Sequence, residues 1–271
     1  MALNNISLTA GMRANLLSLQ NTAKLFDTTQ TRLATGKKVN TALDDPIAYF
    51  AAKGYMDRAN DLSGLKDSMN EAIQIIKAAD AGITAIEDLV AQAKSLANSA
   101  LATADATERT AFATQYNAIL DQIDFLADDA NFKGTNLLEN ETLSVVFDET
   151  GDSTLSITGF SADAAGLTLA DAQNDWADDT DIEADIALLT AASSTLRTES
   201  KGLSSSLSIV NTRLEFTSQM MSALTGGADT LTLADMNEEG ANLLMLQTRQ
   251  SLSVTALSLS SQSAQSILRL F

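Results

Sequence analysis

The sequence predicts a mainly α-helical protein: an elongated antiparallel coiled-coil or helical-bundle rod formed by the N- and C-terminal segments, with a small β-hairpin-containing middle insertion. The first observation is that apolar residues recur at alternating steps of three and four along most of the 271 residues, which is the spacing of one helical face. The second is a nearly palindromic order. A charge-poor helix and a long striped helix precede an acidic middle, and the same two kinds of helix follow it in reverse. Each pair can therefore lie side by side, with both termini at one end of the rod.

The first helix is predicted from an apolar stripe in which Gln30 is the one polar member. The stripe comprises Leu8, Met12, Leu16, Leu19, Ala23, Phe26 and Leu33. The stretch that follows, ATGKKVNTALDDP, has no apolar period and holds the single proline of the chain. Asp45 before Pro46 suits a helix N-cap followed by the first helical position, where a proline gives up no intrahelical hydrogen bond.

The second helix carries the cleanest stripe, with twelve positions that fit the spacing of a coiled-coil interface. They are Leu62, Leu65, Met69, Ala72, Ile76, Ala79, Ile83, Ile86, Val90, Ala93, Ala97 and Ala100. We call this line the seam. Several of its members are alanine, which lets helices approach closely but buries little area, so the seam needs partners on more than one side. A shorter stripe, formed by Phe112, Tyr116, Ile119, Ile123 and Leu126, predicts a third helix.

The middle of the chain changes its pattern. LSVVFDETGDSTLSITGF predicts a β-hairpin, because β-branched and aromatic residues flank a turn around Gly151. The acidic stretch up to about Asp185 has weak periodicity and predicts loops, turns and short elements. Helical spacing returns at Leu189, Leu196, Leu203, Leu207, Val210, Leu214, Met221 and Leu224. TGGADT is predicted to break this helix, and the last helix is predicted to start near Asp235.

Composition excludes several kinds of site. The chain has no Cys and no His, which excludes Cys/His zinc sites, cysteine nucleophiles, disulfides and histidine-based triads. TGKK lacks the upstream glycine of a phosphate-binding loop. DWADDTDIEAD lacks the turn glycine of a calcium loop and is interpreted as a solvated acidic face. No catalytic residue, metal site or cofactor is predicted, and an enzyme is not expected.

The charge is unevenly placed. Residues 121–185 hold 17 acids and one base, whereas residues 1–35 and 240–271 together hold six charged residues. The last helix also carries a second apolar strip, formed by Met245, Leu252, Leu259 and Leu270. A helix that is apolar on two strips and uncharged elsewhere suits burial by several neighbours at once, so assembly into a homopolymer is the economical explanation. The net charge of −18 disfavours nucleic acid and anionic membrane as partners.

Four segments, in order, closely resemble bacterial flagellin. They are SLTAGMRANLLSLQ, RLATGKKVNTALDDP, ANFKGTNLL and NLLMLQTRQSLSVTALSLSSQSAQSILRLF. The resemblance covers both terminal thirds, at the right distance from each terminus, and the acidic middle lies in the region where flagellins vary. In its short length and in the motif TGKKVN, the chain is similar to flagellins of alphaproteobacteria.

The resemblance implies a structural subunit of the bacterial flagellar filament, which self-assembles into a helical tube for swimming motility. Residues 1–35 and 236–271 would form its inner core, and residues 36–56 a connector. Residues 57–130 and 188–226 would form an outer-core helical bundle, and residues 131–187 a surface-exposed variable segment with the hairpin.

The resemblance also assigns residues to these parts. The inner-core assembly residues would be Leu8, Met12, Leu16, Leu19, Phe26, Leu33, Leu246, Val254, Leu257, Leu268 and Phe271. The connector residues would be Gly36, Asp44, Asp45 and Pro46, with Gly36 supplying backbone freedom. The outer-core seam would consist of Leu65, Met69, Ile76, Ile83, Ile86, Val90, Leu207, Val210 and Leu214.

The implied partners are further copies of the chain, a flagellin export chaperone on the C-terminal helix, the flagellar secretion apparatus, the filament cap and hook-associated proteins. The implied location is extracellular, in the flagellum, after export without a cleaved signal peptide. MALNNISLTAGMRANLLSLQ accordingly lacks a basic start followed by an apolar block.

Three alternatives stay open at this point. A hook–filament junction protein shares the plan of paired terminal helices. A secreted helical binding protein or adhesin would use the acidic middle instead. An enzyme is the third.

Overall fold

The computed structural model describes residues 10–268, and this part of the chain forms five α-helices and one β-hairpin. The helices are α1 (Ala10–Thr35), α2 (Pro46–Ala102), α3 (Ala106–Asp129), α4 (Asp179–Thr232) and α5 (Met236–Leu268). The hairpin pairs β1 (Thr142–Val146) with β2 (Thr154–Thr158) in antiparallel register, so that Leu143 faces Ile157. Gly151 lies in its turn with a φ of 79°. The predicted class, mainly α with a hairpin in the middle, is confirmed.

The chain divides into two compact units. The terminal unit comprises the residues up to Asp57 and from Ala223 onward, and the central unit comprises Arg58–Ser222. The division therefore falls within α2 and within α4.

In the central unit, α2 and α4 run antiparallel. Ser200 Oγ donates to Asp80 Oδ1 at 2.9 Å, and Lys94 Nζ donates to Thr190 Oγ1 at 2.8 Å, so the numbering rises along α2 as it falls along α4. The core between them contains the seam. Met69, Ile76, Ile83, Ile86, Val90 and Val210 are at most 2% exposed, and Leu65, Leu207 and Leu214 pack against this cluster while half-buried.

The segment ANFKGTNLL closes the end of α3 against α2. Asn136 is fully buried, and its Nδ2 donates to the carbonyl of Ala127 at 2.7 Å and to that of Asp128 at 3.2 Å. Its Oδ1 accepts from the backbone N–H of Leu138 at 2.9 Å. One side chain thus satisfies carbonyls that the last turn of a helix leaves without partners. Leu138 then packs against α2 at Gly82, which has no Cβ to obstruct it.

Helix α4 starts earlier than the sequence predicted. It begins at Asp179, inside the stretch interpreted as loops and short elements. The interpretation of the acidic run as a wholly solvated face is also wrong at Asp185, which is 3% exposed and accepts a hydrogen bond from Trp176. The reason is helical spacing within the run, since Ile182, Asp185 and Leu189 share one face and are all buried.

The predicted break at TGGADT is also wrong, because α4 continues through it to Thr232. Two glycines cost helix stability, but packing offsets that cost. A Cβ on Gly227 would lie 3.5 Å from the ring of Tyr55, so the helix surface there contacts an aromatic side chain. Ala228 and Thr232, which follow, are buried. The last helix begins at Met236, as predicted, with Asp235 Oδ1 accepting from the N–H of Asn237 at 2.8 Å.

Candidate assembly surface

Helices α1 and α5 pair side by side and antiparallel in the terminal unit. Arg32 Nη1 lies 3.1 Å from Glu239 Oε1, and the carboxylate is nearly enclosed. Of the side chains that the structure describes in these two helices, few are buried: Met12, Thr22 and Thr29 from α1, and Glu239 and Leu246 from α5. Helical pairing alone therefore leaves most of both surfaces open.

The inner-core residues predicted from the sequence differ in exposure. Met12 and Leu246 are buried, and Leu19, Phe26, Leu33 and Leu257 are half-buried. Leu16 is 36% exposed and Val254 is 53% exposed. Leu8 and Phe271 lie outside the described residues; Leu268 is the last residue of α5, and its side chain is not described. Their role in assembly stays a prediction.

The terminal unit exposes more large apolar side chains than it buries. Among its described residues, the buried hydrophobic ones are Met12, Val39, Ala52, Ala228 and Leu246. The exposed large ones are Leu16, Leu17, Leu25, Leu43, Ile47, Phe50, Tyr55, Met56, Leu233, Met236, Leu244, Met245, Leu252, Val254 and Leu259. The central unit, by contrast, exposes Phe125, Ile209 and Phe216. Exposed apolar side chains in this number are typical of a protein–protein contact.

One line of this surface runs along α5. Met245, Leu252 and Leu259 are 50%, 66% and 66% exposed. Seven residues make almost two full helical turns, so the three side chains lie on one face. We call this face the outer strip. It is the second strip seen in the sequence, without Leu270, which lies outside the described residues. Leu246 faces α1 instead, and Arg249 is the single charged residue between Gly240 and Leu268.

The connector between α1 and α2 is tied to the connector between α4 and α5. Gly36 has a φ of 71°, a left-handed conformation that glycine adopts without strain. Its carbonyl accepts from the N–H of Ala234 at 3.0 Å, and the N–H of Lys38 donates to the carbonyl of Thr232 at 2.7 Å. Two turns of the chain thus share a short backbone ladder.

Two acids complete the connector. Asp44 Oδ2 accepts from the N–H groups of Asn40 and Thr41 at 3.0 and 2.9 Å. The N–H of Thr41 has the largest effect and that of Asn40 adds to it, and together they hold the pKa of Asp44 below its usual value. Asp45 Oδ1 accepts from the N–H groups of Ile47 and Ala48, both at 3.0 Å, and α2 starts at Pro46. The predicted N-cap is therefore confirmed.

The sequence reasoning missed an apolar cluster beside these acids. Leu43, Ile47 and Phe50 are 96%, 83% and 62% exposed. In the sequence these three residues are spaced by four and then three positions across the start of α2, which is the spacing of one helical face. The turn and cap residues Gly36, Asp44, Asp45 and Pro46 dominate the pattern of this segment. These side chains add to the exposed apolar surface of the terminal unit.

The net charge belongs to one unit. The terminal unit has eight basic and eight acidic residues, whereas the central unit has nine basic and 27 acidic residues. The net charge of the central unit alone is therefore −18, and that of the terminal unit is zero. Copies of a neutral unit can approach closely without long-range repulsion.

No helix within residues 10–268 combines the length and the apolarity that crossing a bilayer requires. Exposed apolar strips, a neutral unit and buried helical seams are typical of α-helical structural proteins that assemble from many copies.

Comparison with known proteins identifies the family. The model of the bacterial flagellin N-terminal helical region matches residues 6–142. Flagellin FljK of Caulobacter vibrioides is 30% identical over 276 residues, which cover 100% of both chains. Flagellin FljO of the same organism is 29% identical over 273 residues, again covering 100% of both chains. A flagellin of Brucella melitensis is 29% identical over 280 residues, which cover 99% of this chain and 97% of the relative.

The chain belongs to the bacterial flagellin family. It is a structural subunit of the bacterial flagellar filament, and no observation favours the hook–filament junction alternative.

Proposed function

We propose that the terminal unit is the part of this subunit through which copies assemble into the filament. The observation that carries the proposal is that this unit exposes more apolar side chains than it buries. Among its described residues, fifteen large apolar side chains are exposed and five hydrophobic residues are buried. A stable interface removes such side chains from water. The zero net charge of the unit supports the same role, because packing many copies of a charged unit would be opposed by repulsion.

Within this proposal, residues 1–35 and 236–271, which include α1 and α5, form the inner core, and residues 36–56 form the connector to an outer core. The seam would be the packing of that outer core, and the acidic segment would face solvent. The buried seam residues and the backbone ladder at Gly36 support this division, since both hold helices in a fixed register.

The finer partners are proposals as well. The exposed outer strip of α5 would promote association before export unless another protein binds it. We propose that a flagellin export chaperone binds this strip. The secretion apparatus, the filament cap and hook-associated proteins complete the set, with the assembled chain outside the cell after export without a cleaved signal peptide. Loss of the last 20 or so residues should then abolish both chaperone binding and polymerisation.

A matched pair of substitutions tests the assembly role. Leu252 in the terminal unit and Ile209 in the central unit are both exposed aliphatic residues on helices. L252Q should strongly reduce salt-induced polymerisation, measured by sedimentation and electron microscopy, while leaving the helical content of the monomer unchanged. I209Q should polymerise like the wild type. Normal assembly of L252Q together with failure of I209Q would place the assembly surface on the central unit and contradict the proposal.

A further inference from the structure

The sulfur atoms of this chain are all thioethers, because it has eight methionines and no cysteine. Among the methionines that lie within residues 10–268, three are exposed: Met56 by 40%, Met236 by 47% and Met245 by 50%. All three belong to the terminal unit, whereas Met69 of the central unit is buried. An oxidant in solution can therefore reach thioethers on the same surface that carries the exposed apolar side chains.

Of these three exposed methionines, Met245 is the one that lies on the outer strip. It begins the outer strip of α5, one heptad before Leu252 and two before Leu259. Met236 precedes it by nine residues, which places the two side chains about 180° apart around the same helix. Their exposed fractions are nearly equal. Met236 is thus open to the same oxidant but lies away from the strip.

We propose that Met245 is an oxidation site that controls assembly, with a peroxide as the oxidant. This inference rests on the proposed assembly role of the terminal unit. A lone pair of the thioether sulfur attacks one peroxide oxygen, the O–O bond breaks, and an S–O bond forms. The sulfur loses two electrons, hydrogen peroxide is reduced, and the departing hydroxide takes the remaining proton and leaves as water. The product is methionine sulfoxide.

The sulfoxide changes the strip physically. It replaces a flexible apolar side chain with a polar, chiral one, in a line that otherwise presents leucine. Burying the strip against another copy would then remove the polar sulfoxide from water as well, which costs free energy. Oxidation therefore lowers the affinity between copies. Assembly has the opposite effect on oxidation, because a neighbouring copy covers the sulfur.

The test compares three chains before and after treatment with hydrogen peroxide: wild type, M245L and M236L. Leucine keeps the apolar volume and cannot be oxidised. Peptide mass spectrometry measures the sulfoxide at each methionine, and sedimentation measures the critical concentration for polymerisation. Treated wild type and treated M236L should show a critical concentration raised by about tenfold, the effect of losing one well-buried apolar side chain. Treated M245L should stay within about twofold of its untreated value, and a methionine sulfoxide reductase should restore treated wild type.

A second measurement follows oxidation of the wild-type filament. Met245 should oxidise several-fold more slowly in filaments than in monomers. Equal rates of oxidation in the two states would overturn the proposal, and so would loss of polymerisation by treated M245L to the same degree as wild type. Failure of the untreated wild type to polymerise would instead overturn the assembly role, and this proposal with it.

Discussion

The indole Nε1 of Trp176 donates a hydrogen bond of 2.6 Å to Oδ2 of Asp185, and both residues lie inside the core of the central unit. Trp176 reaches that position from a turn in which Asn174, Asp175 and Trp176 itself all have positive φ values. The ring of Tyr116 contacts the indole at a tilt of 45°, with ring centroids 4.9 Å apart. A backbone conformation that costs energy is therefore held by one aromatic contact and one charged hydrogen bond.

The first prediction concerns Asp185. Burial raises its pKa, and the charge of Asp181 adds to the rise, whereas the hydrogen bond from Trp176 opposes it. Because the folded pKa lies above the unfolded one, the folded state binds the proton first as pH falls, and stability increases through that range. D185N should be more stable than wild type at pH 7 and should lose this pH dependence. D185A should be destabilised by about 1–3 kcal/mol, because the indole N–H is left without a partner.

Chemical denaturation of the monomer between pH 4 and pH 8 measures both effects. Tyr116 faces the same acid, and burial also raises the pKa of its hydroxyl, so tyrosine does not ionise in this range. A wild-type stability that falls as pH drops from 7 to 5, beyond the fall seen in D185N, would contradict the assignment.

The second prediction concerns Gly82. A Cβ at this position would lie 2.7 Å from Cδ1 of Leu138, which is itself buried, and 3.1 Å from Cβ of Ala130. G82A should be destabilised by roughly 1–3 kcal/mol from overpacking, despite the better helix propensity of alanine. Gly64 in the same helix has no atom within 4 Å of its Cβ position. G64A is the matched control and should gain up to about 1 kcal/mol, measured by thermal unfolding.

The third prediction concerns Asn136. Replacing it with alanine removes the donors to Ala127 and Asp128 and the acceptor for Leu138 in a fully buried position. N136A should cost about 2–4 kcal/mol, as several buried polar groups lose partners together. N70A, at an exposed position of α2, should change stability by less than about 0.5 kcal/mol. Similar unfolding midpoints for the two variants would show that Asn136 does not hold the end of α3.

The fourth prediction concerns the pH dependence of the connector. The pKa of Asp44 is lowered by the N–H groups of Thr41 and Asn40, and its stabilising effect is therefore present above the unfolded pKa and lost as pH falls through the folded one. Carboxyl NMR should find Asp44 titrating below an ordinary aspartate. Hydrogen exchange at the amide of Thr41 should be accelerated, relative to its intrinsic rate, in D44A. An Asp44 titration at or above the ordinary aspartate pKa would contradict the turn geometry.

The fifth prediction concerns salt. Since the central unit carries the entire net charge of −18, copies repel at low ionic strength. At about 0.1 M salt the screening length is about 10 Å, and the critical concentration for polymerisation should fall as salt rises from 10 mM to 300 mM. K94Q, which makes the central unit more negative, should need more salt than wild type. A critical concentration that does not depend on salt would show that this charge does not oppose assembly.

The features that sequence patterns predicted correctly are those that depend on the spacing of residues close together in the chain. The seam from Leu65 to Val90, the N-cap at Asp45 and the hairpin around Gly151 follow from periodicity and from turn or cap chemistry. The break at TGGADT was predicted from propensity and failed, because contact with Tyr55 and burial of Ala228 stabilise that turn of α4. The burial of Asp185 and the role of Asn136 depend on residues brought together by folding, and no window of the sequence contains that information.

The backbone ladder between the two connectors also sets an order of folding. Arg32 and Glu239 are 207 positions apart, and Gly36 pairs with Ala234 at a similar separation. During translation α1 is synthesised long before α5. The central unit can therefore fold before the partner helix of α1 has been made. Helix α1 can pair with α5 only after the whole chain has been made. The terminal unit is therefore the last part of the newly made chain to reach its native contacts, and the first place where a premature encounter with another copy would occur.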